Sequence, residues 1–391
     1  MQQALLIRLR PAGPWRYGPG DGGLDRVDTL YRSDRLYSAV TVAMRHLGFL
    51  EEWLAATAQS PVSAVSLSSL FPFQGDSLFA IPPATAWPPP PGLVTTPSPV
   101  FLSKIRWKAA RFVPLTLIDS LLAGQPVLAD QWIPDPESGC LLRRDRPSSS
   151  PFRIAIRSGA AVDRLENRSV EVHSAACVEF EAASGLWSVA RFADEPAESA
   201  WSGRIQAAFR LLADSGFGGR RTSGWGQTHA PEFQYGRWPD LLFPRLTRTL
   251  GNRNGSSNGH GGSEFWLLSL YSPASADQID WTSGDYSLAV RAGAETKALR
   301  MIAEGSVVAA RSAPVGMAVD IAPEGFAHPI YRSGLALALE LPTIEAVGPA
   351  AEITEPENGC PPQTETPQAE PQPTEPQPAE PSEHGGPDDE F

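Results

Sequence analysis

The chain is poor in lysine. Of its 32 basic residues only Lys104, Lys108 and Lys297 are lysines, and the other 29 are arginines. Arginine presents a planar fork of donors that matches phosphate and stacks on bases, which suits nucleic acid, although a GC-rich coding sequence produces the same bias. Cysteine is as scarce. Cys140, Cys177 and Cys360 lie far apart, with no CxxC pair, which argues against a zinc site and against a disulfide framework. No run of about 18 apolar residues occurs, so no transmembrane helix is expected. Arg8 and Arg10 stand where a secretory signal needs an apolar stretch. These absences predict a cytoplasmic protein with no membrane partner, no metal and no cofactor.

The formal net charge is −12, but it is unevenly placed. Twelve of the 44 acidic residues lie from Glu345 onward, where there is no Lys or Arg, so the chain up to Pro342 carries 32 residues of each sign. That part is close to neutral, and the acidity is no argument against RNA. A length of 391 residues predicts two domains or three.

Residues 3–10 alternate, with Leu5, Ile7 and Leu9 on one face, and read as a strand. Residues 11–23 are rich in Gly and Pro and read as a loop. Ser33 reads as the cap of a helix whose apolar positions Leu36, Val40, Ala43, Met44 and Leu47 follow the 3.6 period, with Gly48 ending it. A short helix is predicted over 51–58. The proline-dense stretch 82–99 excludes regular structure. Residues 101–117 read as extended, and 135–152 as an excursion from the sheet. Residues 170–180 and 186–192 read as two strands around a turn at 183–185. Residues 200–214 read as a helix with Trp201, Ile205, Ala208 and Leu212 on one stripe. Residues 251–263 form a Gly/Asn/Ser linker, the best internal boundary. Strands are predicted at 265–271, 286–291 and 335–341. Beyond Pro342 the Pro/Glu/Gln-rich sequence has too few large apolar residues to offset its ordering entropy, so disorder is expected. The mixed order of elements predicts an α+β fold rather than a doubly wound sheet.

The most informative segment runs from Gly216 through Phe217, Gly218, Gly219, Arg220, Arg221, Thr222, Ser223, Gly224 and Trp225 to Gly226. Closely spaced glycines permit positive φ and close backbone approach. Successive amides in such a turn can form a concave anion site. The two arginines add charge, Thr222 and Ser223 add hydroxyls, and Phe217 and Trp225 are either core anchors or stacking faces. Two nucleotide motifs are excluded. The chain has no Gly-Lys pair, as a P-loop requires. The helix precedes the glycines, whereas a dinucleotide fingerprint places a helix after them. Composition alone leaves two readings open, a backbone-binding loop and a plain turn between a helix and an edge strand.

The spacing of these residues resembles a known family. Gly216-Phe-Gly218, five residues containing Arg220 and Arg221, then Gly224-Trp-Gly226 is similar to the glycine-rich loop of the RAMP superfamily of CRISPR proteins. Further segments resemble one branch of it, the fourth subunit of the type III-A Csm effector complex. They are Tyr31 to Ala39 with its Ser33-Asp34 pair, Ser69 to Phe73, Ile81 to Pro83, Lys104 to Pro114, Val162-Asp163-Arg164 and His328 to Gly334. The resemblance covers most of residues 1–342. It implies tandem ferredoxin-like (RRM-like) domains, at 1–250 and 264–342. The first carries a hairpin or thumb insertion around 135–195 and the glycine-rich loop at 216–226. The disordered tail at 343–391 lies outside the resemblance. The implied function is non-catalytic: gripping the repeat-derived 5′ handle of a crRNA and joining the large polymerase/cyclase-like subunit to the backbone filament.

Other candidate groups are weighed beside the loop. Lys104, Arg106 and Lys108, with Trp107 between them, would share one strand face as a backbone-plus-stacking surface, or would be a solvated face. Arg157 and Arg164 flank the expected hairpin. Ser33 and Asp34 are read as helix N-terminal groups or RNA contacts. Asp21, Asp25 and Asp28 lack calcium-loop spacing. Two alternative functions stay open. One is a metal-independent CRISPR RNA endonuclease using His173 or His46 as general base. The other is a protein-only scaffold.

Overall fold

The computed structural model describes residues 2–18, 23–95, 106–145, 149–163, 168–252, 262–293 and 296–342. In chain order the first part contains β1 (Gln3–Leu9), α1 (Ser33–His46), α2 (Leu50–Ala56), β2 (Val65–Leu67), β3 (Phe71–Gln74), β4 (Ser77–Ala80), β5 (Val94–Thr95) and β6 (Val113–Pro114). Next come α3 (Leu115–Leu122), β7 (Val127–Leu128), β8 (Trp132–Pro134), β9 (Leu141–Arg143), β10 (Phe152–Asp163), β11 (Arg168–Phe180), β12 (Ser184–Phe192), α4 (Glu195–Ser215), β13 (Glu232–Arg237) and α5 (Pro244–Asn252). The remaining strands are β14 (Ser263–Leu267), β15 (Ile279–Asp285), β16 (Leu288–Gly293), β17 (Thr296–Ile302), β18 (Val307–Ala310), β19 (Gly316–Asp320), β20 (Tyr331–Leu335) and β21 (Ala338–Glu340).

The fold is α+β, built on two principal antiparallel sheets. The larger runs β13-β1-β12-β3-β4-β6, with β2 also on β12. Its strand β1, paired on both sides by β13 and β12, buries Leu5, Ile7 and Leu9 completely. Helices α1 and α4 pack on each other, and α4 also packs on β1 and β12. The expected stripe of α4 is the buried one: Trp201, Ile205, Ala208 and Leu212 are all at most 5% exposed. Asp194 caps this helix by accepting from the Ala197 amide at 2.8 Å, which satisfies one orphan donor of the first turn. A second carboxylate, Asp119 on α3, receives the Arg245 and Leu246 amides that open α5. The smaller sheet runs β15-β18-β14-β21, and the hairpins β16–β17 and β19–β20 are separate two-stranded ribbons. The described residues, from 2 to 342, belong to one compact unit.

Several expectations are corrected. The extended run read over 101–117 is met only in part where it is described: 106–108 form a helical turn, β6 is a two-residue strand, and α3 starts at Leu115. Trp107 is 1% exposed and packs edge-on to Trp87, and burying that ring is what the turn achieves. Residues 168–180 and 184–192 are both strands but not partners. β11 pairs instead with β10, from Phe152↔Phe180 to Asp163↔Arg168, and forms a long ribbon outside the sheets. The Gly/Pro segment 11–17 is irregular, as read, yet it holds main-chain bridges at Pro11↔Thr228 and Trp15↔Val178. Ser33 is not a helix cap, because the N-cap of α1 is Arg32, with no capping side chain. The predicted linker lies mostly outside the described residues, as does the whole predicted tail.

Candidate nucleic-acid interface

The glycine-rich segment turns the chain from α4 toward the edge strand β13. Phe217 is the anchor of the turn. It is 1% exposed and stacks on Trp15 at 5.0 Å and 15° between planes, with Tyr31 edge-on at 6.2 Å. Main-chain bonds close the turn: Phe217 donates to the Gly226 carbonyl at 2.9 Å, Gly219 to Arg16 at 2.8 Å and Gly226 to Pro14 at 3.0 Å. At two positions glycine is obligatory. A Cβ on Gly226 (φ +83°) would lie 2.0 Å from the Phe217 oxygen, and one on Gly218 (φ +76°) 2.3 Å from the Arg16 oxygen. The backbone occupies the space a side chain needs.

Outside this anchor the loop faces water. Arg221, Thr222 and Ser223 are exposed, whereas Arg220 and Trp225 are half-buried. Arg220 adopts the left-handed conformation (φ 58°, ψ 29°) and leads into a 3-10 turn over Arg221–Ser223. A left-handed residue followed by a right-handed turn aims three successive amides at one point. Here those amides belong to Arg220, Arg221 and Thr222, and none donates to an acceptor among the described residues. The Arg220 guanidinium lies 5.5 Å from the Trp225 ring centroid and 3.1 Å from His173 Nε2 on the β10–β11 ribbon. Arginine can only donate, so Nε2 is the acceptor of this bond.

The other sequence candidates are dispersed. Ser33 and Asp34 are buried in contacts within the protein, Asp34 against the ribbons β16–β17 and β19–β20 and Ser33 against the segment after β14. Asp34 is 1% exposed and accepts from Arg291 (2.9 and 3.1 Å) and Arg332 (2.8 Å). Burial by itself would raise the Asp34 carboxyl, but the two guanidinium groups override it and hold the acid below its usual range. Ser33 accepts from the Leu270 amide, and its own amide donates to Ser69. Ser69 and Arg32 both bond the buried carboxylate of Glu304. The structure thus places Ser33 and Asp34 in internal contacts that tie the start of α1 to β16, β20 and the segment after β14. Arg106 is half-buried and Lys108 exposed on the helical turn, so the expected strand face does not exist. Lys104 and Arg164 lie outside the described residues. Arg157 is exposed and ion-paired with Glu179 at 2.6 Å.

Sequence reasoning missed Trp15, Tyr17, Arg16, Arg35 and Arg111. The available signal was three consecutive large residues, Trp15-Arg16-Tyr17, inside a segment read only as a Gly/Pro loop. No group of three or more His, Cys, Asp or Glu among the described residues could hold a metal ion, and none of their helices is long and apolar enough to cross a membrane.

A two-sheet α+β fold, with a glycine-rich turn linking a helix to the edge strand of the larger sheet, is the class these features define. Residues 260–341 match the family model described as the CRISPR Csm4 C-terminal domain. No curated protein matches the chain by sequence. Among solved structures, the fold is similar to a chain of the Csm3–Csm4 subcomplex of the type III-A CRISPR-Cas interference complex, at a TM-score of 0.56 and 13% identity over 88% of this chain and 100% of that one. It is also similar to chains of the Csm1–Csm4 cassette. The one in complex with cA4 has a TM-score of 0.50 and 18% identity over 87% of this chain and 98% of that one. The one with pppApA has a TM-score of 0.50 and 16% identity over 88% and 99%. The fold agrees with the resemblance read from the motifs.

Proposed function

We propose that this chain is a non-catalytic RNA-binding and assembly subunit of a type III CRISPR effector complex. It grips the repeat-derived 5′ handle of the crRNA at the glycine-rich loop. It also joins the large polymerase/cyclase-like subunit to the backbone filament. The observation that carries the RNA reading is the division of the loop into two parts. Phe217 is locked in an aromatic core, while Arg221, Thr222, Ser223 and three unbonded amides stand outside it. Such an array suits a phosphodiester, because amides and a guanidinium bind its oxygens without reading the base. The partner reading rests on the solved structures of similar fold, which are Csm1–Csm4 and Csm3–Csm4 assemblies.

The strand orders support tandem ferredoxin-like domains. The larger sheet orders its fourth, first, third and second elements as β13-β1-β12-β3, with α1 and α4 as crossovers. The smaller sheet, β15-β18-β14-β21, repeats the same order from its other edge. In it the ribbons β16–β17 and β19–β20 interrupt the connections, and no helix appears among the described residues. We read the β10–β11 ribbon as the thumb-like insertion, and the cytoplasm as the place of work.

The test is equilibrium binding of handle RNA over a range of salt. We expect Arg221→Ala to weaken binding and to flatten the slope of log K against log salt by about 0.7, the value for one lost contact to a single strand. Arg220→Ala with Arg221→Ala should lose more. A folded double mutant with unchanged affinity and slope sinks the loop's role. The nuclease alternative requires a free base, and the Nε2 lone pair of His173 is occupied by Arg220. We expect repeat RNA to stay intact in EDTA, and cleavage that is lost on His173→Ala or His46→Ala would favour the nuclease. The scaffold alternative is tested by crosslinking: guide RNA that crosslinks to other subunits but never to this loop would favour it.

A further inference from the structure

Beside the loop, at the start of α1, guanidinium groups outnumber carboxylates. Arg32, Arg35, Arg111, Arg291 and Arg332 meet Asp28, Asp34 and Glu304. Asp34 is taken by Arg291 and Arg332, Glu304 by Arg32, and Asp28 lies 3.7 Å from Arg32 and 3.8 Å from Arg111. Arg35 is left over. Its side chain has no hydrogen-bond or ion-pair partner among the described residues, and its Nη1 is buried and unsatisfied. The Tyr17 hydroxyl, in the same cluster and on a residue only 2% exposed, is also buried without a partner. Burial and the like charge of Arg291 act against the Arg35 cation, and the nearby Asp34 and Asp28, both already engaged by other arginines, offset this only in part. A partly desolvated charge with no directly bonded partner is costly, and a ligand that supplies the opposite charge would offset that cost.

The cluster adjoins the glycine-rich loop. Tyr17 and Tyr31 meet edge-on at 5.3 Å, and a Cβ on Gly218 would sit 3.7 Å from the Tyr31 ring. Arg35 and Arg221 both act electrostatically on Tyr31, and Arg35 and Arg111 on Tyr17. Three cations from separate segments thus converge on one aromatic pair, and two of them, Arg111 and Arg221, are exposed.

We propose that Arg35, with Arg111 and Arg221 at the rim, forms a second anion subsite that takes one phosphodiester of the RNA strand held at the glycine-rich loop. The subsite rests on the RNA-binding reading and extends it from the loop to the first turn of α1. The full-length chain is titrated with a short fluorescent single-stranded RNA at several salt concentrations, as wild type, Arg35→Met and Arg35→Lys. We expect Arg35→Met to weaken binding about tenfold, as loss of a charge-assisted hydrogen bond does, and to lower the salt slope by about 0.7. Arg35→Lys should restore the slope. The melting temperature without RNA separates this role from a structural one, since a structural arginine lowers it when removed and an uncompensated one leaves it level or raises it. A folded Arg35→Met protein with wild-type affinity and slope overturns the subsite. If the wild type binds no RNA, the loop reading itself fails. Inorganic phosphate then decides the subsite: it supports it by raising the melting temperature of wild type and not of Arg35→Met, and overturns it by acting on neither or on both alike.

Discussion

At the scale of single residues, the glycine-rich loop separates shape from chemistry. Gly226 and Gly218 are there because backbone oxygens lie where a Cβ would go, whereas at Gly224 (φ +76°) the nearest atom is a flexible glutamine oxygen at 3.9 Å. The two classes should respond differently to alanine. Gly224→Ala carries only the left-handed backbone cost of about 1 kcal/mol. Gly226→Ala adds a collision with the Phe217 carbonyl and should exceed about 3 kcal/mol in a denaturant titration. Equal losses would mean that the loop is not held as described. Phe217→Ala should cost about 3–5 kcal/mol, because the stacked ring is wholly buried and its neighbours cannot close the gap.

At the scale of elements, the first turn of α1 is a joint. Asp34 receives β16 through Arg291 and β20 through Arg332, while Arg32 and Ser69 hold Glu304 in the segment between β17 and β18. Removing one partner of a buried ion pair strands the other charge, so Asp34→Asn should destabilise by about 3–5 kcal/mol. The pH dependence has a definite sign. The folded Asp34 acid is depressed below its ordinary 3.8. Its contribution is therefore complete above 3.8 and is lost as pH falls further, through the folded value. We expect the wild type to lose stability in that acid range and Asp34→Asn to lack this loss. Parallel acid limbs for the two proteins would refute the assignment.

At the scale of the whole molecule, the buried apolar side chains of both sheets lie between Ala4 and Leu341. The acidic Pro/Glu sequence after Pro342 has little to add to a core. A chain ending at Pro342 should melt at the same temperature as the full chain, and a lower melting temperature would contradict this. The truncation also removes twelve acidic residues and no basic ones. Its binding to RNA should therefore be no weaker, and at low salt stronger, because like charge is taken away from the polyanion.

Much of this molecule could be read one element at a time. The periodicities of β1, α1 and α4 expose their buried faces directly, because a helix or strand shows its inner face through the spacing of its own residues. The glycine-rich loop was equally legible, since all but one of its positive-φ positions are glycines and only Arg220 is not. The roles of polar residues were not. Ser33-Asp34 looked like a helix start and an RNA contact, but the partners that define it, Arg291 and Arg332, are 257 and 298 residues away along the chain. Trp107, between two cations, looked like a stacking face and proved to be core. Local sequence thus determined the elements, the arginine-rich chemistry and the loop that turns α4 toward β13. Only the tertiary structure decided which arginines are spent on internal carboxylates, which anchor the loop and which face solvent. The physical reason is that a charge takes its meaning from its nearest counter-charge and its burial, and both are set by contacts between segments distant in sequence.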